Sequence, residues 1–483
     1  MKLNLKNPYL WLGLIGLIGG LLRLYHLGHK SLWLDEAVNY QNALGTLDAI
    51  LWKNSIRGSG PPAFTLMIHG ISHLGHSEFG LRLSSCLAGI LSIPMAYLAF
   101  KKHAGKWGAL GGCLLLALSP MQIKYAQEVR EYSWVVLLTM LLLYCLTRAI
   151  ECKDAKHYLL FGLAAAVAIQ FQYGLALVVA VCCVIVLLFG AIQKERTIGR
   201  VLISFIPIAL SVLLVWHIAL SRQYRQGGFA ASSYLSNAYF DGSIANLPAY
   251  FVNNTESILR FAFNAECKSI LLLLVVTGCC CSIVNKRHVP LLWAVGLFGL
   301  LFLTGLLSLY PYEGRRQTIF LSVPLYLMAS IGIHYLQNKK AFLAISVLGG
   351  IFLIYGMKDS LSYLRSESQE NIKPIAAALT TNIQPDDKIF VSLGSEPAFQ
   401  YYFEPLSGHL MFPLDYYNKQ REFDYRQRAE WIAAQPERTW LIFTHYQLED
   451  LNVTLETIRK QRKVKCVTGP NEYSRLYVVE SIE

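Results

Sequence analysis

Long apolar runs, each about as long as a lipid bilayer is thick, constrain this chain more than any other feature. A helix crossing the hydrocarbon core needs roughly 20 apolar residues. Eleven stretches approach that length: 9–27, 79–101, 108–126, 132–150, 158–171, 173–190, 199–220, 268–284, 289–309, 316–336 and 341–357. Composition agrees: 54% of the 483 residues are hydrophobic and 15% charged, where a soluble domain has about a quarter charged. The expected fold class is therefore a polytopic α-helical membrane protein with about 11 transmembrane helices.

Charge sets the expected orientation. The formal net charge is +12, yet no basic stripe interleaves with aromatics, which argues against nucleic acid as a partner. Lys and Arg instead collect in short loops: KKHAGK (101–106), RAIECKDAKH (148–157), QKERTIGR (193–200), NKRH (285–288) and QNKK (337–340). The positive-inside rule puts these in the cytoplasm, with the N-terminus. An odd number of crossings then leaves the C-terminal tail outside. The first apolar run lacks a small-residue cleavage site and reads as an uncleaved span in a cytoplasmic (inner) membrane. This register requires the run from Pro61 to Leu74 not to cross, and at about 14 residues it suits an interfacial helix. A second interfacial helix is expected over 36–53, where Ala37, Tyr40, Leu44, Leu47 and Leu51 form one apolar stripe and Asp35 sits at the N-cap position.

Two domains are expected: residues 1–357 in the membrane, with external loops at 28–78 and 221–267, and an extracytoplasmic soluble domain at 358–483. In the tail, KIFVSL (388–393), TWLIFTH (439–445) and RLYVVE (475–480) alternate with helical patterns near 370–382, 423–435 and 447–460, predicting a small α/β domain. Most of the 11 cysteines lie in apolar runs; Cys267 and Cys466 both fall on the expected outer side, where a disulfide is conceivable.

Three polar stretches interrupt this apolar background at its expected outer rim. LWLDEA (32–37) sets Asp35 and Glu36 side by side. One could act as general base on an acceptor hydroxyl while the other positions the acceptor; Asp35 as a simple helix cap is the structural alternative. PMQIKYAQEVREY (120–132) packs Lys124, Glu128, Arg130 and Glu131 between two apolar runs. Ionisable groups beside hydrocarbon are costly, so they are functional candidates, with a snorkelling loop as the alternative. YPYEGRRQ (310–317) places Arg315 and Arg316 outside, against the charge bias, where they suit a phosphate or a plain headgroup anchor. His69, His73 and His76 are read as facing headgroups, and no metal or cofactor motif appears.

These motifs, with the GPP-led segment at 60–62, FGLRLSSCLAG (79–89) and GRRQTIFLSVP (314–324), resemble GT-C class membrane glycosyltransferases. The branch is that of protein O-mannosyltransferases and lipid A aminoarabinose transferases, and the resemblance covers roughly residues 5–336. It implies an inverting transfer from a polyprenyl-phosphate sugar donor to a lipid, glycan or protein acceptor, among membrane lipids and without a cofactor. It assigns Asp35 and Glu36 to the base or acceptor-positioning role. Arg130, Arg315, Arg316 and Lys124 would hold the donor phosphate. The branch usually carries an Asp near the place of Tyr132; here Glu128 and Glu131 are the second-acid candidates. It also often has His before the double proline, where this chain has Gly60, which points away from a protein acceptor. A transporter or flippase of lipid-linked sugars is the alternative, and it would favour repeats and mid-bilayer polar groups.

Overall fold

The computed structural model describes residues 6–57, 60–192, 196–225, 233–338, 341–368, 370–414 and 424–481. Residues 193–195 and 339–340, within two of the basic loops, and 226–232, within the loop at 221–267, lie outside the described residues. In chain order the helices begin with α1 (Pro8–Leu24), α2 (Leu34–Asn42), α3 (Leu47–Arg57), α4 (Ala63–Ser72), α5 (Glu78–Leu118), α6 (Pro120–Ala126) and α7 (Tyr132–Cys152). They continue with α8 (Ala155–Ile169), α9 (Gly174–Ile192), α10 (Arg196–Val215), α11 (Ser221–Arg225), α12 (Leu247–Ala262), α13 (Lys268–Val284) and α14 (His288–Leu306). Then come α15 (Ser322–Asn338), α16 (Phe342–Arg365), α17 (Lys373–Asn382), α18 (Glu396–Tyr402), α19 (Tyr425–Ala434) and α20 (Leu448–Arg459). Four strands, β1 (Lys388–Val391), β2 (Thr439–Thr444), β3 (Lys463–Asn471) and β4 (Ser474–Glu480), and several short 3-10 or π segments complete the described elements.

Among the described residues, six helical stretches are long and apolar enough to cross a membrane: Glu78–Leu118, Tyr132–Cys152, Gly174–Ala191, Gly199–Gln223, His288–Leu306 and Arg316–Gln337. Pro8–Leu24, Ala63–Ser72, Ala155–Ile169 and Lys268–Val284 are apolar but shorter. The expected runs 79–101 and 108–126 are joined into α5, which breaks at Gly105, a residue at φ +66° that suits glycine. The second of those runs stops at Leu118, eight residues before its expected end. Pro120 cannot continue a helix that needs its N–H, and Ser119 instead caps α6 by accepting from Gln122 N.

By contacts the chain divides into two compact units, and not at 357/358. One holds residues 1–27, 45–70 and 81–365; the other holds 28–44, 71–80 and 366–483. The expected helix over 36–53 is two helices. Gly45, at φ +105°, ends the stripe between α2 and α3, and the two fall in different units. An apolar stripe reports only that a face is covered, and Ala37 is covered by the sheet described below.

The first unit is a helical bundle. Its helices approach closely where a side chain is missing: a Cβ on Gly278 of α13 would collide with Met328 O of α15, and one on Gly332 of α15 with Leu274 O. Such small-residue contacts let backbones pack without a hydrophobic drive between helices. A polar node joins α1 to the break after α5. Arg23, 0% exposed, donates from Nη1 to Gly19 O (3.0 Å) and Ala117 O (3.1 Å), and from Nη2 to Leu116 O (3.0 Å). Ser360 Oγ donates to Leu118 O at 3.3 Å. In return Gln127 Nε2 donates to Arg23 O (3.1 Å) and Tyr25 O (2.8 Å), taking up the carbonyls that end α1. The last carbonyls of a helix have no partner within it, and a dry bundle offers no water to replace one.

The second unit is α/β, with strand order β1-β2-β4-β3. β1 and β2 run parallel; β4 is antiparallel to both β2 and β3. Strand alternation sorts two cores. Ile389, Val391, Trp440, Ile442, Leu476 and Val478 pack on one face with α17, α18 and Ala37 of α2. Phe390, Leu441, Phe443, Tyr477 and Val479 pack on the other with α19 and α20. β3, whose KVKCVTGPN alternates weakly, was not expected; β4 supplies its ladder. Cys267 and Cys466 are both free thiols, so the conceivable disulfide is not formed.

Replacing Arg23 with Met removes the donors to three buried carbonyls. We expect a loss on the order of 2–4 kcal/mol, read as a lower thermal midpoint in detergent. Gly299→Ala, at a site with open space around it, should move the midpoint by less than about 1 kcal/mol equivalent. Equal midpoints for Arg23→Met and the parent would remove the node from the account of stability.

Candidate active site

In the helical unit, the break after α5 creates a charged turn. After α6 the chain makes a tight reversal, with Arg130 N donating to Glu128 O at 2.8 Å, and α7 begins at Tyr132. Ser85 Oγ of α5 donates to Arg130 O at 2.8 Å and holds the turn. The Arg130 guanidinium is mostly buried. It pairs with Glu131 (Nε–Oε2 3.3 Å), donates to Tyr132 OH at 2.8 Å and lies 5.1 Å from the Tyr132 ring centre. Glu131 is thereby a partner of Arg130, whereas Glu128 is buried at 6% exposed. Lys124 Nζ stands 5.8 Å from the Tyr125 ring centre.

The loop before α15 reaches the same place. A 3-10 turn, Arg316–Leu321, packs against α7 and α12. Tyr125, stacked edge-on against Tyr132 at 4.9 Å, lies within electrostatic reach of Glu128, Arg316 and Arg130. Arg315 faces elsewhere in its role: its Nε pairs with Glu313, and its N–H donates to Thr318 Oγ1 at 3.3 Å. Thr318 Oγ1 in turn donates to Arg315 O at 3.0 Å, so the loop is tied to itself. Gly314 admits no side chain, because its Cβ would enter the Ser257 backbone of α12. The bundle therefore gathers Lys124, Glu128, Arg130, Glu131 and Arg316 around two tyrosines, with Arg315 committed to the loop. Two guanidinium groups at such a place can hold a phosphate by forked hydrogen bonds.

Asp35 and Glu36 belong to the other unit. The helix that carries them starts two residues earlier than expected, at Leu34, so Asp35 lies in the first turn and Trp33 is the N-cap. The Trp33 indole has no acceptor to offer. Glu36, 1% exposed, bends back and accepts from Trp33 N at 3.3 Å, while Asp35 is half-buried. The two neighbours thus have separate surroundings, as their roughly 100° separation on a helix requires. Asp35 is the one left with access, and a carboxylate there can accept a proton.

Several residues at these places carry no sequence signal. Tyr402 OH accepts from Leu32 N at 2.7 Å, Ser31 Oγ accepts from Ile372 N at 3.1 Å, and Gln41 Nε2 donates to Pro397 O. Glu370, 2% exposed, accepts from Leu34 N at 2.8 Å and from His445 Nδ1 at 2.7 Å. Burial pushes the Glu370 carboxyl up, against the hydrogen bond and charge of His445. No spacing rule links residue 370 to residue 34. Among the described residues, no cluster of three His, Cys, Asp or Glu has metal-binding geometry; His76 Nδ1 is instead 2.8 Å from Tyr40 OH.

With this geometry in hand, known proteins can be compared. Residues 59–221 match the family model described as dolichyl-phosphate-mannose-protein mannosyltransferase. No curated protein matches the chain by sequence. Apo ArnT from Cupriavidus metallidurans superposes with a TM-score of 0.58 at 13% identity, covering 97% of this chain and 98% of that one. The same enzyme bound to undecaprenyl phosphate gives 0.57 at 13%, with the same coverage. The Pmt1-Pmt2 complex of S. cerevisiae bound to its sugar donor is also similar, at 16% identity over 47% of this chain and 34% of that one, but its TM-score of 0.36 adds no weight. A match over nearly the whole of both chains extends the likeness beyond the motif-bearing region to the tail. The chain is a multi-pass membrane protein with a mannosyltransferase-like GT-C glycosyltransferase fold.

Proposed function

We propose that this chain is an inverting glycosyltransferase that moves a hexosyl or pentosyl unit from a polyprenyl-phosphate donor to a lipid, glycan or protein acceptor. The reaction takes place on the extracytoplasmic face of the cytoplasmic membrane, with eleven crossings, the N-terminus inside and the α/β domain outside. One observation carries the reading: Arg130 and Arg316, from segments far apart in sequence, both lie within electrostatic reach of Tyr125, while the turn that begins at Arg316 packs against α7 beside Arg130. A ligand with a phosphate head and an apolar tail suits that juxtaposition. The fold shared with ArnT, which was solved with undecaprenyl phosphate, supports the same ligand class.

In this reaction the Asp35 carboxylate takes the proton from the acceptor hydroxyl. The oxygen attacks the anomeric carbon from the side opposite the phosphate, and the new carbon–oxygen bond forms as the bond to the phosphate oxygen breaks. The electron pair leaves with the polyprenyl phosphate, and the anomeric centre inverts. Arg130 and Arg316 neutralise the charge that grows on the leaving phosphate, with Lys124 as a further cation nearby. Fixed cations in a dry site need no reorganisation as that charge develops, which is why such a term can be large. Glu131 keeps the Arg130 guanidinium in place between turnovers, and Glu128 is the remaining candidate for a second acid. Proximity of donor and acceptor at one membrane face supplies the remaining rate.

Two predictions test this reading. Asp35→Asn should lower transfer of sugar from a labelled polyprenyl-phosphate donor by about 10²-fold or more while leaving undecaprenyl phosphate binding intact. A parent-like rate in that variant would end the base assignment. Arg316→Ala should weaken undecaprenyl phosphate binding by roughly 1.5–3 kcal/mol, about ten- to a hundredfold, measured by native mass spectrometry or calorimetry in nanodiscs. Arg315→Ala should weaken it less, because Arg315 is paired with Glu313. Equal affinity in parent and Arg316→Ala would remove the phosphate clamp.

A further inference from the structure

The helix that carries Asp35 is held at both ends by groups more than three hundred residues away, a side chain at its start and a backbone carbonyl at its end. At its start, Leu34 N donates to Glu370 Oε2 at 2.8 Å across 336 residues of chain. The other oxygen of the same carboxylate, Oε1, is 2.7 Å from His445 Nδ1. At its far end Gln41 Nε2 donates to Pro397 O. Between these, Ala37 is 0% exposed against the sheet face formed by Trp440, Ile442 and Leu476.

His445 follows directly on β2 and adopts φ +48°, a left-handed conformation uncommon for a residue with a side chain. Its own N–H donates to Tyr473 O at 3.2 Å, which fixes it at the β2 end of the β2–β4 pair. Strained backbone of this kind persists only where the surroundings over-determine it. The path from Asp35 to the rigid sheet is therefore short: helix start, Glu370 carboxylate, His445 ring, strand end. A buried carboxylate is a costly way merely to cap a helix, because a Ser, Thr or Asp at position 33 would satisfy first-turn N–H groups from its own short side chain. What the distant carboxylate adds is a fixed relation between the first turn of α2 and the sheet.

We propose that Glu370, held by His445, is the positioning residue for Asp35, resting on the reading of Asp35 as the base of a sugar transfer. Glu370 anchors the first turn of α2 through a charge-assisted hydrogen bond at the positive end of the helix dipole. Its closeness to Asp35 sets two carboxylates near each other, and the His445 ring on the far oxygen offsets that repulsion. A displacement of the order of 1 Å at a reacting group can cost about a hundredfold in rate. Losing the anchor therefore appears in kcat and not in donor affinity.

The experiment uses the full chain in membranes of cells that lack the gene, with a labelled polyprenyl-phosphate sugar as probe and the membranes' own acceptor. Rates are normalised to folded protein. Glu370→Ala should lower kcat by about tenfold or more at unchanged donor KM, and amide exchange at Leu34 and Asp35 should quicken. Glu370→Gln, which still accepts from Leu34 N, should restore the rate to within about threefold of the parent. If Glu370→Ala does not fold, His445→Asn takes its place: Asn tolerates the left-handed backbone but is too short to hold Glu370, and the rate should fall by at least about threefold. A purely structural bond predicts fewer folded molecules, each working at the parent rate; that result in either variant overturns the proposal. The parent and Asp35→Asn report separately on the function itself. If the parent transfers no sugar, or Asp35→Asn matches it, the glycosyltransferase reading fails. If both behave as expected and folded Glu370→Ala or His445→Asn keeps the parent kcat, the positioning role alone fails.

Discussion

The bundle depends on how it treats the end of a helix where there is no water. α5 stops at Leu118, leaving the carbonyls of Leu116, Ala117 and Leu118 without partners in their own helix. Arg23 takes the first two and Ser360 the third, while Gln127 takes carbonyls at the end of α1. Each of these bonds is modest by itself, but an unmade one in a dry interior costs the full desolvation of the group. The node therefore permits a break in the helix at a place that would otherwise forbid one.

That break creates the charged turn. Because α5 ends at Leu118 and a tight turn follows α6 before α7 begins, the segment at 120–132 places Lys124, Glu128, Arg130 and Glu131 within one short stretch between the two long helices. The loop before α15 then adds Arg316, brought against α7 by a 3-10 turn and by a glycine that lets the loop touch the α12 backbone. Scaffold and chemistry are linked here by one constraint: backbone polar groups must be satisfied before charged side chains can be presented.

The α/β unit applies a different principle. Its sheet separates two cores by simple alternation, and one of those cores accepts Ala37 from the segment that follows α1. The acid-bearing helix is thus part of the packed core of the α/β unit. Asp35 and Glu36 illustrate how an adjacent pair divides its labour: Glu36 turns back to the backbone at Trp33, and Asp35 keeps access. Their separation follows from helix geometry, and the burial of Glu36 follows from packing.

The sequence by itself determined the membrane class, the helical nature of the apolar runs, the alternation of strands and helices in the tail, and the stretches where ionisable residues stand out. These are local properties, because hydropathy, period and the cost of a charge near lipid are carried by neighbouring residues. Asp35, Arg130 and Arg316 stand out for that reason. Only the tertiary structure decided that the stripe at 36–53 breaks at Gly45, that α2 packs on the sheet, that Arg315 is spent on Glu313 while Arg316 joins Arg130 near Tyr125, and that Glu370 takes Leu34 N–H. Each of these links residues distant in the chain, and an isolated charge or apolar stripe carries no label for its partner. The partner is chosen by packing and by the need to satisfy buried polar groups, which only the folded chain expresses.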